Sequence, residues 1–405
     1  MTTRATTRGA ERTSLDGTHV DVLICGASFA GLAVARELAG CGASVLVIDR
    51  YEIGERATSA CAAPTPWLHA MGVAESISQE IPYMRFSTPH GSVRYRLPWS
   101  WSSFDYRKLC QLLFAQCDAR FETAKVQGRV GAGASPSGAP GEAGLTREAP
   151  EVGAGAPVGV ATDRGVLYAP LVVDALGWRR VLGSQGFQPP DAPLSRGLEV
   201  HPTVADPDPP PELDVWIERS LVRRGYGWRV PAGGEARVGV GSYAPTQHVR
   251  EPTVGLAERL ELDAVRFQGN WFPHRLRPAG EDGVFFVGDA AGHCFPLSGE
   301  GIRTAFYFGI ACGRELRAVL DDGRDRADAL ARYHAFSARH GRAFKLALGL
   351  QRLIPALPPR VLTFVFAAID RQWLVDRAFG WYLDQAHPAF AARAPAFARP
   401  AALVR

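Results

Sequence analysis

A chain of 405 residues with 46% hydrophobic and 21% charged residues buries a large core and divides into about two domains. Its net charge of +4 argues against nucleic acid as a partner, and only Lys108, Lys125 and Lys345 among its 45 basic residues are lysines, a compositional bias before it is a functional feature. Seven cysteines without paired spacing, and His201, His248 and His274 without ligand spacing, speak against a disulfide framework or a metal site and for a reducing, cytoplasmic compartment.

Residues 1–18 are polar, rich in Thr and Arg, and have no apolar stretch, so they read as a disordered tail and not as a secretory signal. Residues 20–25 are an apolar run of the kind a buried parallel strand uses. Gly26 would turn the chain out of that strand into a helical pattern over residues 29–39, and Gly31 would let the helix pack closely on the sheet. Residues 44–48 form a second buried strand ending in Asp49. Strand, Gly-rich turn, helix, strand and acid follow the order of a site for the adenosine pyrophosphate of a dinucleotide: the helix start offers N–H groups to phosphate and the acid accepts a ribose hydroxyl. Ser28 stands where the usual pattern has Gly, which restricts the turn.

A loop follows, then helical character over residues 62–71, alternating strand patterns over 83–99 and a helix over 107–117. Residues 131–159 are dominated by Gly, Ala, Pro and Glu and read as a flexible surface insert. Strand character returns over 166–177 and dominates 198–243, with an aromatic turn at 225–231. The apolar run 284–287 leads into Gly288-Asp289-Ala290-Ala291-Gly292 and on through Pro296-Leu297-Ser298-Gly299-Glu300-Gly301-Ile302. An acid between Gly288 and Ala290, just after an apolar strand, is costly to place without something to bind. Beyond Gly301 the chain is mostly helical. Residues 346–379 are apolar, interrupted by Pro355, Pro358 and Pro359, and read first as core helices, with a greasy tunnel or a membrane-surface face as other readings. The apolar run 361–369 falls short of the ~20 residues a spanning helix needs.

The two Gly-containing segments together point to bound FAD, whose ring would carry the chemistry. With them the chain resembles the FAD-dependent geranylgeranyl reductase family, within the glutathione-reductase-type flavoprotein group that includes para-hydroxybenzoate hydroxylase, over residues 20–320 in order. Ser298 stands where Thr is common, Val230 where Phe is, and Ala60-Cys61-Ala62-Ala63 where the family has a Cys-Gly-Gly loop. The fold expected is α/β: a Rossmann-type FAD-binding domain (19–80, 104–190 and 275–325, with the insert at 131–159), interleaved with a β-sheet substrate domain (81–103 and 191–274), and a helical C-terminal region (326–405).

The resemblance implies a role for each matching residue. Ala30 and Gly31 would face the pyrophosphate, Asp49 the adenosine ribose, Arg107 a phosphate or ribose, and Val126 the adenine, with Gly26, Ser28 and Arg50 also at the cofactor. Ala60 and Cys61 would approach the ring system, and Asp289, beside Gly288, would accept a hydrogen bond from the ribityl chain. Gly299, Gly301 and Ile302 would bring backbone N–H groups to the flavin's carbonyl edge. Cys61, Tyr226 and His293, with Tyr307 and Glu300, are candidate proton donors, each equally readable as structural. The activity implied is reduction of carbon–carbon double bonds in an isoprenoid or other apolar small molecule, with NAD(P)H as electron donor and a peripheral membrane contact as a possible corollary. The alternative is an NAD(P)H-dependent flavin monooxygenase, although Gly292 stands at the His of that group's second motif. A halogenase would need a lysine between the halves of the site, and none lies between Asp49 and Arg107.

Overall fold

The computed structural model of the chain describes residues 12–57, 60–130, 156–184, 194–204, 211–369 and 371–393. Its first sheet has six strands: β2 (Val22–Cys25), β3 (Val45–Asp49), β7 (Arg120–Thr123), β11 (Leu171–Asp174), β17 (Gly280–Glu281) and β18 (Val284–Phe286). They lie in the order β17-β18-β11-β2-β3-β7, parallel except for the β17–β18 hairpin. β2, β11 and β18 are buried at every position, which is why they read as unbroken apolar runs and not as alternations.

Helix α1 (Phe29–Glu37) packs on this sheet and is crossed by α5 (Ile302–Asp322). The crossing is close because two small positions of α5 meet α1 directly. A Cβ on Gly309 would lie 2.8 Å from the Ala30 carbonyl oxygen, and one on Gly313 would lie 2.6 Å from the Glu37 Cβ. Two elements whose starts, Phe29 and Ile302, are 273 residues apart are thereby held with their N-terminal ends at one place.

A four-stranded sheet runs β1 (Thr18–His19), β10 (Gly165–Ala169), β9 (Val158–Thr162), β8 (Val126–Val130). It corrects the expected extent of the tail. Residues 12–18 are fastened to the domain: Leu15 N donates to Arg164 O at 2.7 Å, β1 pairs with β10, and Arg12 pairs with Asp163. Backbone pairing, the polar contacts of Arg12 and the packing of Leu15 against the core together order this segment. The expected insert lies outside the described residues over 131–155, while Val158 and Gly159 already belong to β9.

The third sheet has eight strands in the order β16-β12-β15-β14-β13-β5-β6-β4, with β4 (Ala62–Pro64), β5 (Ile77–Thr88), β6 (Gly91–Phe104), β12 (Leu194–Val200), β13 (Glu212–Trp216), β14 (Gly225–Pro231), β15 (Ala236–Ser242) and β16 (Gln268–Pro273). It reaches further back than expected, since β4 and the start of β5 belong to it. The helical stretch expected at 62–71 is therefore strand β4 followed by the short helix α2 (Thr65–Ala70), which starts with Pro66 in its first turn. The aromatic turn expected at 225–231 is strand β14, paired on both sides. Its glycines serve packing and not reversal: a Cβ on Gly225 would lie 1.9 Å from the Gly241 carbonyl oxygen, and one on Gly227 2.7 Å from the Leu221 side chain.

Helix α3 (Tyr106–Phe114) starts at the Asp105 cap, whose carboxylate accepts from Lys108 N at 2.9 Å. Helix α4 (Arg250–Arg259) covers the large sheet. The C-terminal region is helical: α6 (Arg326–Ala338), α7 (Gly341–Leu353), α8 (Pro359–Ala368) and α9 (Gln372–Asp384). Among the described residues no helix is long and apolar enough to cross a membrane.

Candidate functional site

One cavity of about 990 Å³ runs between the six-stranded sheet, the eight-stranded sheet and the C-terminal helices. At one end it meets the starts of both α1 and α5: Ser28, Phe29 and Ala30 on one side, Gly301 and Ile302 on the other. Neither helix start is capped by a side chain. Two sets of unpaired N–H groups, each at a positive dipole end, therefore face one space. The acid Asp49, the basic Arg50, Arg56 and Lys125, and Val126 complete this polar end.

The turn between β2 and α1 is as tight as the sequence suggests. A Cβ on Gly31 would lie 1.9 Å from the Gly26 carbonyl oxygen, and one on Gly26 2.4 Å from that of Ala175. Asp49 stabilises this turn itself, since its carboxylate accepts from Ala27 N at 2.9 Å and Tyr51 N at 3.1 Å. Burial still raises its pKa above the usual carboxylate value, with those hydrogen bonds opposing the rise. Ser28, in the place of a glycine, is extended (φ −114°) and accepts from the Tyr106 hydroxyl at 3.1 Å. Gly31→Ala is expected to lower stability by about 1–3 kcal/mol, because the clash is with backbone and cannot be relieved by a rotamer change. The thermal midpoint of the apoprotein and the flavin-to-protein absorbance ratio check it, and wild-type values for both would show the turn to be looser than drawn.

At the middle of the cavity stand Gly288, Asp289 and Cys294. Asp289 Oδ1 lies 3.7 Å from where a Cβ on Gly301 would stand, so the acid and the α5 start are neighbours. Burial pushes the Asp289 carboxyl up to about 7, with Arg277 acting in the opposite direction. The loop from Pro296 to Gly301 completes this wall, with Leu297 at φ +78° and Gly299 at φ +67°. Such a backbone persists only when over-determined by its surroundings, and four side chains do this. The Tyr243 hydroxyl donates to Leu297 O at 2.6 Å, the Tyr226 hydroxyl donates to Ser298 O, and Gln351 Oε1 of α7 accepts from Leu297 N at 2.8 Å. Tyr382 of α9 lies 2.6 Å from Ser298 Oγ and donates to the Glu300 carboxylate. Glu300 is held in turn by the fully buried Arg303, through two contacts of 2.8 and 2.9 Å. Gln351, Tyr382, Tyr243 and Arg303 were not singled out from the sequence, because no local pattern links them to residues 296–301.

The far half of the cavity is apolar. The large sheet contributes Met84, Phe86, Leu213, Val215 and Trp228, and the C-terminal helices add Leu350, Phe366, Ile369, Phe379 and Trp381.

Of the site residues expected from sequence, Ser28, Ala30, Asp49, Arg50 and Val126 line the cavity at its polar end, and Ala60, Gly288, Asp289, Gly299, Gly301 and Ile302 line it further on. Gly26 and Gly31 form the turn behind the wall. Arg107 is exposed on α3 with its backbone against Gly54, and the neighbouring Tyr106 faces the cavity instead. Cys61 is not on the cavity wall: it is buried at φ +50° with its thiol pushed up to about 12, and its carbonyl accepts from Arg237 at 2.7 Å. Arg237, on β15, also binds the carbonyls of Ala60 and Phe104 and so fixes this loop from the sheet side. His293 is likewise behind the wall. It stacks on Phe308 at 3.7 Å with Nε2 3.0 Å from Ser337 Oγ, and burial pushes its pKa well down. Tyr307 packs against Phe336 and Phe390. Tyr226 and Glu300 line the cavity. Among the described residues no cluster of His, Cys, Asp or Glu has the form of a metal site.

No family profile matches the chain. The fold is that of FAD-dependent flavoproteins. A geranylgeranyl bacteriochlorophyll reductase-like structure from Thermoplasma acidophilum superposes with a TM-score of 0.75 over 92% of this chain and 98% of that one, at 18% identity. A probable FAD-dependent monooxygenase from Pseudomonas aeruginosa superposes with a TM-score of 0.63 over 86% and 100%, also at 18% identity. In sequence the chain is similar to reductases named for isoprenoid substrates. It is 32% identical to a geranylgeranyl diphosphate reductase of Rhodobacter capsulatus over 37% of this chain and 39% of that protein. It is 24% identical to digeranylgeranylglycerophospholipid reductase 1 of Methanothermobacter thermautotrophicus over 78% and 81%. The chain thus spans less than half the length of the first of these relatives.

Proposed function

We propose that the chain is an FAD-dependent oxidoreductase that reduces carbon–carbon double bonds of an isoprenoid or similarly apolar small molecule, with NAD(P)H as electron donor. The observation that carries this is the division of one cavity into a polar end with two uncapped helix starts and a long apolar end. The first suits a dinucleotide and the second a greasy chain. The residues fit FAD on the chain's own terms: Asp289 is a buried acid on the cavity wall, and the α1 start that follows the tight turn at Gly26 carries no side-chain cap. Reduced FAD, when bound, supplies the hydride. The protein's part is to hold and to shield. The starts of α1 and α5 would hold the charged and carbonyl portions of the cofactor, Asp289 would accept from its sugar chain, and the clamped loop 296–301 would wall its ring end. The apolar half excludes water from the reacting bond. A proton for the product can be held on the Tyr382 hydroxyl, which lies between Ser298 Oγ and Glu300 on the cavity wall. A cytoplasmic site of action goes with this reading.

The monooxygenase reading shares the fold, but one backbone position favours the reductase. Gly292 is left-handed (φ +69°), and a Cβ there would lie 1.9 Å from the Arg275 carbonyl oxygen, so the histidine of the monooxygenase motif has no room. The test is dithionite-reduced enzyme, under strict anaerobiosis, with prenylated lipids and quinones and products followed by mass. A gain of two hydrogens per turnover is expected. No anaerobic product, together with a gain of one oxygen in air with NAD(P)H, would replace this reading with the alternative.

A further inference from the structure

We propose that the outward faces of α7, α8 and α9 form a surface that docks on an anionic lipid bilayer, with the apolar half of the cavity directly behind it. The proposal names the partner of the same site and rests on the functional reading only for what passes from the bilayer into the cavity.

Seven of the nine exposed large hydrophobic side chains among the described residues fall on these three helices. Each helix repeats them on one face. Leu346 and Leu353 are seven apart on α7, Val361, Phe364 and Val365 follow the i, i+3, i+4 spacing on α8, and Trp373 and Trp381 are eight apart on α9. Phe364 is 73% and Trp373 60% exposed, values that a face packed within the chain does not give.

Charge identifies the occupant. Within residues 341–385, Arg342, Lys345, Arg352, Arg360, Arg371 and Arg377 are all exposed, and none is ion-paired among the described residues, whereas the described acids there are only Asp376 and Asp384. Aromatic and aliphatic side chains alternating with arginine are the composition of helices that lie in a headgroup layer. A second copy of the chain would bring like charges together across a two-fold interface, which such a face disfavours. At 13, 10 and 13 residues the helices are too short to span, so the geometry is that of a raft on the surface. The same helices also wall the cavity through Leu350, Phe366 and Phe379, and Trp381 is both exposed and on the cavity wall. An apolar molecule leaving the bilayer at this face would cross one layer of helices to reach the site.

The test uses the full chain with its FAD and sedimentation with vesicles of phosphatidylcholine, alone or mixed with phosphatidylglycerol. Binding is expected to the anionic vesicles, to weaken as salt is raised, and to be much lower on phosphatidylcholine alone. Two double variants, Phe364→Ser with Trp373→Ser and Arg360→Glu with Arg371→Glu, touch neither the cavity wall nor the flavin motifs. The arginine pair is expected to lower vesicle affinity at least about 25-fold, since each interfacial basic residue contributes roughly fivefold, and the aromatic pair at least about tenfold through lost apolar burial, while flavin content and thermal midpoint stay at the wild-type values. Wild-type binding that ignores lipid charge, or variants that bind as the wild type does, would overturn the proposal. So would a light-scattering mass showing a dimer that these variants convert to monomer. Vesicle binding needs no turnover, and turnover on detergent-dispersed substrate needs no vesicle, so failure of the docking surface and failure of the reductase reading give different results.

Discussion

Arg303→Met is expected to lower the stability of the apoprotein by about 3–5 kcal/mol, the loss typical of breaking one side of a buried ion pair. Arg303 is fully buried in the first turn of α5 and holds the Glu300 carboxylate by two contacts. Its remaining nitrogen donates to the Leu383 carbonyl at 2.6 Å, so the same side chain ties the end of α9 to the loop 296–301. Methionine fills much of the volume but leaves a buried carboxylate with Tyr382 alone. If the uncompensated charge is the cause, Arg303→Met with Glu300→Gln should recover a good part of the loss, because the second change removes the charge that the first exposes. Chemical denaturation without FAD separates this from cofactor binding, which would stabilise the folded state by mass action. A loss below about 1 kcal/mol, as for a surface pair, or a double variant no better than the single, would mean that Glu300 is hydrated and not held as drawn.

The dinucleotide half of this architecture was legible in the sequence because its signals are local. β2, the turn at Gly26, α1 and β3 follow one another within residues 22–49, and their apolar runs and glycines report directly on burial and close approach. The second motif was legible for the same reason, with strand β18, Asp289 and the α5 start within twenty residues. What did not show was the set of residues that brings the two together. Gly309 and Gly313 look like ordinary helix interior until α1 is laid across them, and Arg237 looks like an exposed strand residue until its guanidinium is found under the Ala60–Cys61 loop. Cys61 and His293, readable from sequence either as proton donors or as structural residues, show the converse. Each sits next to a motif, and proximity in sequence suggested a catalytic group, but the left-handed backbone at Cys61 and the stack on Phe308 at His293 put both side chains behind the wall. The glycines and proline of residues 225–231 suggest a turn, whereas Gly225 lies against the Gly241 carbonyl and Gly227 makes room for Leu221 and Leu256 within a sheet. In a wide antiparallel sheet, glycine marks a crowded neighbour as often as a reversal.

FAD affinity should rise between pH 6 and pH 8, and this rise should vanish in Asp289→Asn. Without cofactor, burial holds the Asp289 carboxyl at about 7 against an ordinary value of 3.8. The folded protein therefore binds this proton more tightly than the unfolded chain. The resulting contribution to stability is fully present below about pH 4 and declines as pH rises to about 7, by at most about 4 kcal/mol for a shift of this size. A sugar hydroxyl is held more strongly by the ionised carboxylate than by the neutral acid, so cofactor binding favours release of the proton and strengthens as pH passes through 7. Asparagine keeps the shape and one acceptor oxygen but has no proton to lose, so its affinity should be lower and flat over the same range. Asp289→Ala removes the acceptor altogether and should weaken binding about 10- to 100-fold, corresponding to roughly 1.5–3 kcal/mol for a hydrogen bond to a charged group. Flavin fluorescence titrations of the apoprotein at pH 6, 7 and 8 give all three comparisons. The apoprotein of Asp289→Asn should also be more stable than the wild type at pH 8 and no more stable at pH 4, since the buried charge is present only at the higher pH. A wild-type affinity that is level across pH 7, or an alanine variant that keeps its full complement of FAD, would place the cofactor's sugar chain away from Asp289 and require a different path for it through the cavity.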